Sequence, residues 1–353
     1  MSADNEPDPK FLMTVDLNVL NHLGIRLYSS IPAVLSEAVA NSWDADAESV
    51  DIKIEGDFIS IADDGIGMTE ADINNKYLSV GYQRRKDGGN ATSPSGRKVF
   101  GRKGIGKLSL FSIANTIEVE SFKDGSWSGL VLNLNKIEAS IAKGNPTYEP
   151  DELSAEKRTI SKGTKITIRD IRKKTNRAPG PLRRRVARRF TNIGKKIKGK
   201  NFEVVVNDQK ITVSDREYFN KLQYMWTYGD LGKDLSKKTK AKKIFEREAD
   251  FSGWIGTVKA AGDLLSEDGD NLNDIPIFIR GRVAQDNTLQ FFGEDGIYAS
   301  YVVGEIHADW LDDDNQDDIA TSNRQTLIED DPRVMELRAV SYTHLTLPTK
   351  RIV

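Results

Sequence analysis

A mixed α+β fold in two domains is the class this sequence predicts, and three observations predict it. An apolar stripe at helical spacing runs through Ile31, Val34, Leu35, Ala38 and Val39. Short segments of period-two alternation recur in both halves of the chain, as half-buried strands require. At 353 residues, the chain is long enough for two sizeable cores.

Composition narrows the class. Hydrophobic residues make up 38% and charged residues 29%, which fits a well-solvated globular protein. A net charge of -2 gives no global field that selects nucleic acid or membrane, so only local patches could do so. With no cysteine, disulfides and thiolate metal sites are excluded, and a reducing, cytoplasmic location is expected. His22, His307 and His344 form no metal-ligand spacing. No apolar run reaches the ~20 residues of a membrane span, and the polar, acidic start MSADNEPDPK is not a signal peptide.

Residues 1–10 are expected to be a disordered tail. The first helix, begun by Pro32 in its first turn, carries the stretch EAVANSWDADA. Glu37, Asn41 and Asp44 follow one another at spacings of four and three, which stacks them on one helix face. Polar groups beside a core-facing stripe need partners. A carboxylate beside a carboxamide can activate water and bind a cation; the alternative is a solvated helix edge. Next, Val50, Ile52 and Ile54, a Gly56-Asp57 turn, then Ile59 and Ile61 read as a β-hairpin. Its second strand runs into Asp63-Asp64-Gly65-Ile66-Gly67-Met68, where glycines let a ligand approach the backbone and an Asp can accept from an amine.

Residues 71–80 predict a helix with Ile73, Tyr77 and Val80 inward. A long glycine-rich, basic loop follows, ending in Gly101-Arg102-Lys103-Gly104-Ile105-Gly106-Lys107 and opening an apolar helix, LSLFSIAN. Free N–H groups at a helix start suit phosphate; a plain surface loop is the alternative. Residues 116–135 alternate as strands. After a polar excursion, Gly163-Thr164 opens another strand, with Ile166 and Ile168 alternating.

In this order, over residues 31–170, the four motifs resemble those of the GHKL, or Bergerat-fold, ATPases, which include the DNA gyrase ATPase, MutL, the ninety-kilodalton heat-shock chaperones, sensor histidine kinases and the MORC proteins. EAVANSWDADA looks most like the MutL and MORC versions. The resemblance implies an α/β-sandwich ATPase domain over 11–172 that binds ATP and Mg²⁺. It implies Glu37 as the base that orients and deprotonates water, Asn41 as the Mg²⁺ ligand through its amide oxygen, and Asp44 in support. Asp63 would accept from the adenine amine, with Gly65, Gly67 and Met68 beside the base and Thr164 reaching it through water. Gly101, Gly104, Ile105 and Gly106 would wrap the triphosphate, with Lys103 or Lys107 near it. A sensor kinase is disfavoured, because only His22 precedes the site as a phosphoacceptor.

A basic linker helix is expected over 173–200, where Arg183, Arg184, Arg185, Arg188 and Arg189 crowd together. It reads as a solvated helix joining two domains, or as a DNA-backbone contact. Residues 201–340 are expected to form a smaller α+β, transducer-like domain. It would contain a hairpin around Asn207-Asp208 and strands at 251–259, 275–284 and 301–311. By the same resemblance, DDIATSNRQTL offers Arg324 where relatives carry a γ-phosphate lysine. The acidic run from Asp309 to Asp318 lacks the pattern of a calcium loop and reads as solvated. SYTHLTLPTKRIV, residues 341–353, reads as a non-native read-through tail, with further natural sequence expected past about residue 340. The expected function is Mg-ATP hydrolysis driving a conformational or dimerisation switch. The alternatives are a nucleic-acid clamp timed by ATP and a chaperone-like ATPase.

Overall fold

The computed structural model describes residues 30–339 apart from 86–90, 103, 105, 146, 173–177, 250, 287, 292–296 and 322–325. Lys103, Ile105 and Arg324, together with the expected terminal tails, lie outside the described residues.

Two sheets organise the chain. Helix α1 (Ile31–Asp44) precedes the hairpin β1 (Ser49–Ile54) and β2 (Phe58–Asp63). Helix α2 (Glu70–Asp72) runs into a π-helical turn at Ile73–Tyr77, and a 3₁₀ segment covers Gly106–Ser112. Strands β3 (Ala114–Lys123) and β4 (Ser126–Asn133), helix α3 (Leu134–Ala142), β5 (Asp151–Glu152) and β6 (Gly163–Ile171) follow. After α4 (Pro179–Ala187) come β7 (Lys195–Ile197), β8 (Lys200–Val206) and β9 (Gln209–Lys210). The first sheet has the order β5-β4-β3-β6-β2-β1-β8-β7, with β9 on β8. All its pairings are antiparallel except β1 with β8.

The second sheet is built from β10 (Leu222–Tyr228), β11 (Lys243–Arg247), β12 (Ser252–Val258), β13 (Ile277–Ile279), β14 (Arg282–Gln285) and β15 (Val302–His307). Its order is β11-β10-β12-β15-β13-β14. Helices α5 (Gly229–Ser236) and α6 (Thr288–Phe291) accompany it. Alternate residues feed two apolar clusters: Trp226, Ile255 and Ile306 enter one, Met225, Trp254 and Val303 the other, so both faces of the sheet are covered.

Helix α1 is the core of the first domain. All its residues except Pro32 and Asn41 are buried. Val34, Leu35 and Val39 are fully enclosed, and those three side chains alone favour its position by roughly 5–9 kcal/mol. It lies between the first sheet and α4. A helix buried all round forces its polar residues inside with it, which settles the solvated-edge alternative for Glu37 and Asp44.

Several expectations are corrected. The first sheet and its apolar cluster extend through Val206 and Ile211, because β8 pairs in parallel with β1. Residues 200–210 therefore join the first domain, not a domain beginning at 201. Residues 275–284 form a hairpin rather than one strand. Its turn is Arg280-Gly281, both at positive φ (56° and 89°). The expected helix at 71–80 ends near Tyr77, and Val80 is 42% exposed because the chain turns there. In place of an LSLFSIAN helix there is the 3₁₀ segment, whose chain enters β3 at Ala114.

The arginine run is not a solvated linker. Arg183 pairs with Asp215 at 2.9 Å, and Arg184 with Asp268 and with Glu267 (3.1 Å). Arg185 pairs with Asp270 at 2.7 Å, Arg188 with Glu217 at 3.1 Å and Asp270 at 2.5 Å, and Arg189 with Asp286 at 3.1 Å. These charges are compensated by carboxylates from the chain that follows, so the run stitches the domains together and offers little to a DNA backbone. Deeper in the same seam, Arg216 donates to Phe190 O at 3.1 Å and to Glu305 at 2.8 Å, and Tyr218 also donates to Glu305. Glu305 and Arg216 are buried. Burial acts to raise the Glu305 carboxyl, but the charge of Arg216, with His307 and Tyr218, brings it down to about 2.

Removing one partner of such a pair strands the other charge. Glu305→Ala is expected to lower stability by about 3–5 kcal/mol, measured as a shift of the urea unfolding midpoint. In the wild type, the contribution of Glu305 is complete above an unfolded-state pKa of roughly 4.3 and is lost as pH falls toward about 2.

Candidate functional site

A cavity of about 740 Å³ opens where α1, the end of β2, the start of β6 and the glycine-rich segment meet. Its size suits a nucleotide-sized ligand. Glu37, Asn41, Asp44, Asp63, Gly67, Met68, Gly101, Gly104, Gly106, Lys107 and Thr164 all line it, although the sequence spreads them over 128 positions (37 to 164). Gly65 sits just behind, against Ala45 and the Asp63 carboxylate.

One end is built around Asp63. Its Oδ1 accepts from Gly65 N at 2.9 Å and from Thr164 N at 3.3 Å, and its Oδ2 accepts from Ser42 Oγ at 3.0 Å. Burial pushes this carboxyl up to about 6, against those three hydrogen bonds. The register that pairs Asp63 with Thr164 and Ser121 with Thr164 brings these groups together. Ser121 Oγ lies 3.1 Å from Thr164 Oγ1 and accepts from Met68 N at 2.8 Å. Gly163 has φ +73°, and a side chain there would collide with Asp63 O, so only glycine lets β6 close on β2 at this point.

Charge control lies at the other end. The Glu37 carboxylate is buried, with Oε1 paired to Arg282 of β14. The Asn41 side chain is exposed to the cavity and has no protein hydrogen-bond partner among the described residues. Asp44 anchors the loop: it accepts from Phe100 N at 2.7 Å and Gly101 N at 2.8 Å. Burial raises its pKa against these bonds. Lys107 donates to Lys76 O (3.1 Å) and Ser79 O (2.6 Å), and burial draws it down to about 8.

The glycine-rich segment is held at its base by more than Asp44. Asp46 accepts from Ser93 and Ser95 at 2.6 and 2.5 Å. Trp43 donates to Lys98 O at 2.9 Å and stacks on Phe100, while buried Arg97 reaches Ala47 O and Asn201 O. The acidic run is only partly solvated: Asp309 and residues 314–317 are exposed, but Asp312 and Asp314 are drawn into ion pairs. Asp312 pairs with Arg85 (3.0 Å), Arg102 (3.3 Å) and Arg280 (2.9 Å), and Asp314 with Arg85 and Arg280. Burial acts to raise the Asp312 carboxyl, but the bond and charge of Arg85, then of Arg280 and Arg102, keep it below the usual range.

Sequence reasoning missed Arg282, Ser42, Ser121 and the Trp43–Arg97 support. For Ser42 and Ser121 a local signal existed, since each is a small hydroxyl beside a motif position. Arg282 had only Gly281, between two short apolar stretches, as a hint of a turn.

Mg²⁺ suits this donor set in one respect. Asn41 offers a free, hard amide oxygen, and among the described residues no cluster of three or more His, Cys, Asp or Glu competes for a cation. A cation here would complete its shell with phosphate oxygens and water, as Mg²⁺ prefers.

Residues 28–166 match the family model described as "Histidine kinase-, DNA gyrase B-, and HSP90-like ATPase". That agrees at family level with the GHKL resemblance and supports a GHKL-type ATPase domain in this part of the chain. Over 339 residues, 94% of the chain, the sequence is 40% identical to a Herpetosiphon aurantiacus protein described as "Putative type II restriction enzyme HgiDII". The chain spans 54% of that protein's length. No helix among the described residues is long and apolar enough to cross a membrane.

Asp44→Ala would leave the buried Phe100 and Gly101 N–H groups without an acceptor, each loss costing about 1–3 kcal/mol locally. Faster amide exchange over 91–102, with the strands of the first sheet still protected, is the expected result.

Proposed function

We propose that the chain binds Mg-ATP through the GHKL-type domain matched over residues 28–166 and hydrolyses it to ADP and phosphate, using the two domains as a switch in the manner of MutL and MORC proteins. The observation that carries this reading is the convergence of Glu37, Asn41, Asp63, Gly101, Gly104, Gly106 and Thr164 on one cavity. In it, Asp63 accepts the adenine amine, with Thr164 and Ser121 beside the base. Asn41 holds Mg²⁺, which neutralises phosphate charge when bound. The loop from Gly101 to Lys107 covers the phosphates. Glu37 orients the attacking water and takes its proton. In this reading Arg282, which lines the cavity, is a basic group that the second domain extends toward the terminal phosphate.

Glu37→Ala is expected to cut steady-state phosphate release by about 100-fold or more while nucleotide binding persists. Unchanged turnover would remove Glu37 from the role of base. The raised pKa of Asp63 adds a pH dependence. Its ionised form is the acceptor, so ADP affinity should fall as pH drops through about 6. Titrating ADP calorimetrically between pH 5 and pH 8, with Asp63→Asn as the variant lacking that dependence, checks the assignment.

A second reading, a DNA-acting role for a longer protein, draws on the printed description of the Herpetosiphon aurantiacus relative. It would show as stimulation of phosphate release by duplex DNA. Because Arg183, Arg184, Arg185, Arg188 and Arg189 are already ion-paired, any such stimulation should not lose its salt dependence when Arg183 or Arg185 is changed to Ala.

A further inference from the structure

We infer that Arg282 is an autoinhibitory latch: it occupies Glu37, the proposed base, and the terminal phosphate of ATP must take the guanidinium from that carboxylate before water can be activated. The inference rests on the ATPase reading above and adds to it a competition between two anions for one cation.

The geometry makes the pair hard to avoid. Glu37 and Arg282 side chains are only 9% and 6% exposed, and their contact lies inside the cavity wall. Glu37 Oε1 is engaged by Arg282, and Gly106 leaves room beside Oε2 that a side chain would take, since an added Cβ would lie 2.7 Å from it. The charge of the carboxylate is thus neutralised by the second domain, which makes it a weaker base toward water. Arg282 itself cannot drift away. The hairpin that bears it is fastened to the first domain by Thr191 N to Gly281 O (2.8 Å), Asn192 Nδ2 to Arg280 O (2.8 Å) and Val283 N to Arg189 O (3.0 Å). Its guanidinium lies 6.0 Å from the centre of the Phe190 ring, an apolar neighbour that offers no alternative anion. Asp44, a second carboxylate that feels the Arg282 charge, is already committed to Phe100 N and Gly101 N, so a phosphate brought in by the ligand competes chiefly with Glu37 for the guanidinium. A phosphate that draws it away leaves the carboxylate exposed to the cavity at the moment substrate is present, so hydrolysis is released only by a nucleotide with a terminal phosphate.

Competition is read by binding alone, without turnover. Affinities for ADP and for a non-hydrolysable ATP analogue are measured by calorimetry, in Mg²⁺, for the wild type, Glu37→Gln, Arg282→Ala and the double variant. If Glu37 competes with phosphate for Arg282, Glu37→Gln tightens the analogue about fivefold or more, leaves ADP unchanged, and has no effect once Arg282 is Ala. Equal effects on ADP and analogue, no tightening, or tightening that survives in Arg282→Ala would overturn the latch while leaving the ATPase reading intact. Failure of the wild type to bind either nucleotide would overturn both. Should Arg282→Ala not fold, Arg282→Lys keeps the charge, and the tightening by Glu37→Gln must then persist.

Discussion

A carboxylate enclosed in a buried helix requires a cation, and in this chain the cation arrives from 245 residues away. The Glu37–Arg282 pair is the constraint from which much of the architecture follows. Helix α1 is buried on nearly every side because it lies between the first sheet and α4. An unpartnered carboxylate there would be costly. The chain meets the requirement with a hairpin from the second sheet, and that hairpin needs a tight turn at Arg280-Gly281 to enter beside Thr191 and Asn192. A Cβ at position 281 would collide with Asn192, so glycine is required for the approach as well as for the backbone angle.

Charged seams hold the two domains in the register this pair demands. The arginines of α4 and of the two residues after it meet Asp215, Glu217, Asp268, Asp270 and Asp286, and Arg216 meets Glu305. Buried pairs of this sort add little net stability compared with apolar packing, yet they penalise any arrangement that separates them. Their effect is therefore on which docking is allowed more than on how tightly the domains dock.

Much of the site was legible in the sequence because its parts are local. Glu37 and Asn41 share a helix face by spacing, Asp63 ends a strand that alternates cleanly, and Gly163-Thr164 opens another. Each carries its position in a few neighbouring residues. What escaped is non-local or locally ambiguous. Within residues 275–284 the turn is marked only by Arg280-Gly281-Arg282 between two short apolar stretches, a signal that one bent strand would also give. The parallel pairing of β8 with β1 joins segments about 150 residues apart, and no periodicity records it. The arginine and aspartate runs looked solvated because each is uniform in charge along the chain. Their partners are scattered over distant segments, Asp215 to Asp286 for the arginines and Arg85, Arg102 and Arg280 for the aspartates, and charge complementarity between distant segments leaves no mark in a local window.

The same hairpin explains why the glycine-rich segment and the base need not act independently. Arg280 and Arg282 stand two residues apart across the turn. Arg282 reaches Glu37, while Arg280 reaches Val99 O at 3.2 Å and the Asp312 carboxylate, which also holds Arg85 and Arg102. Arg85 lies before the glycine-rich segment and Arg102 within its last part, so that segment and Glu37 are both tied to one short, tightly turned element. A turn with Arg280 at φ 56° has few ways to relax. One short turn thus places Arg282 on Glu37 and Arg280 on the carboxylate that also binds Arg85 and Arg102.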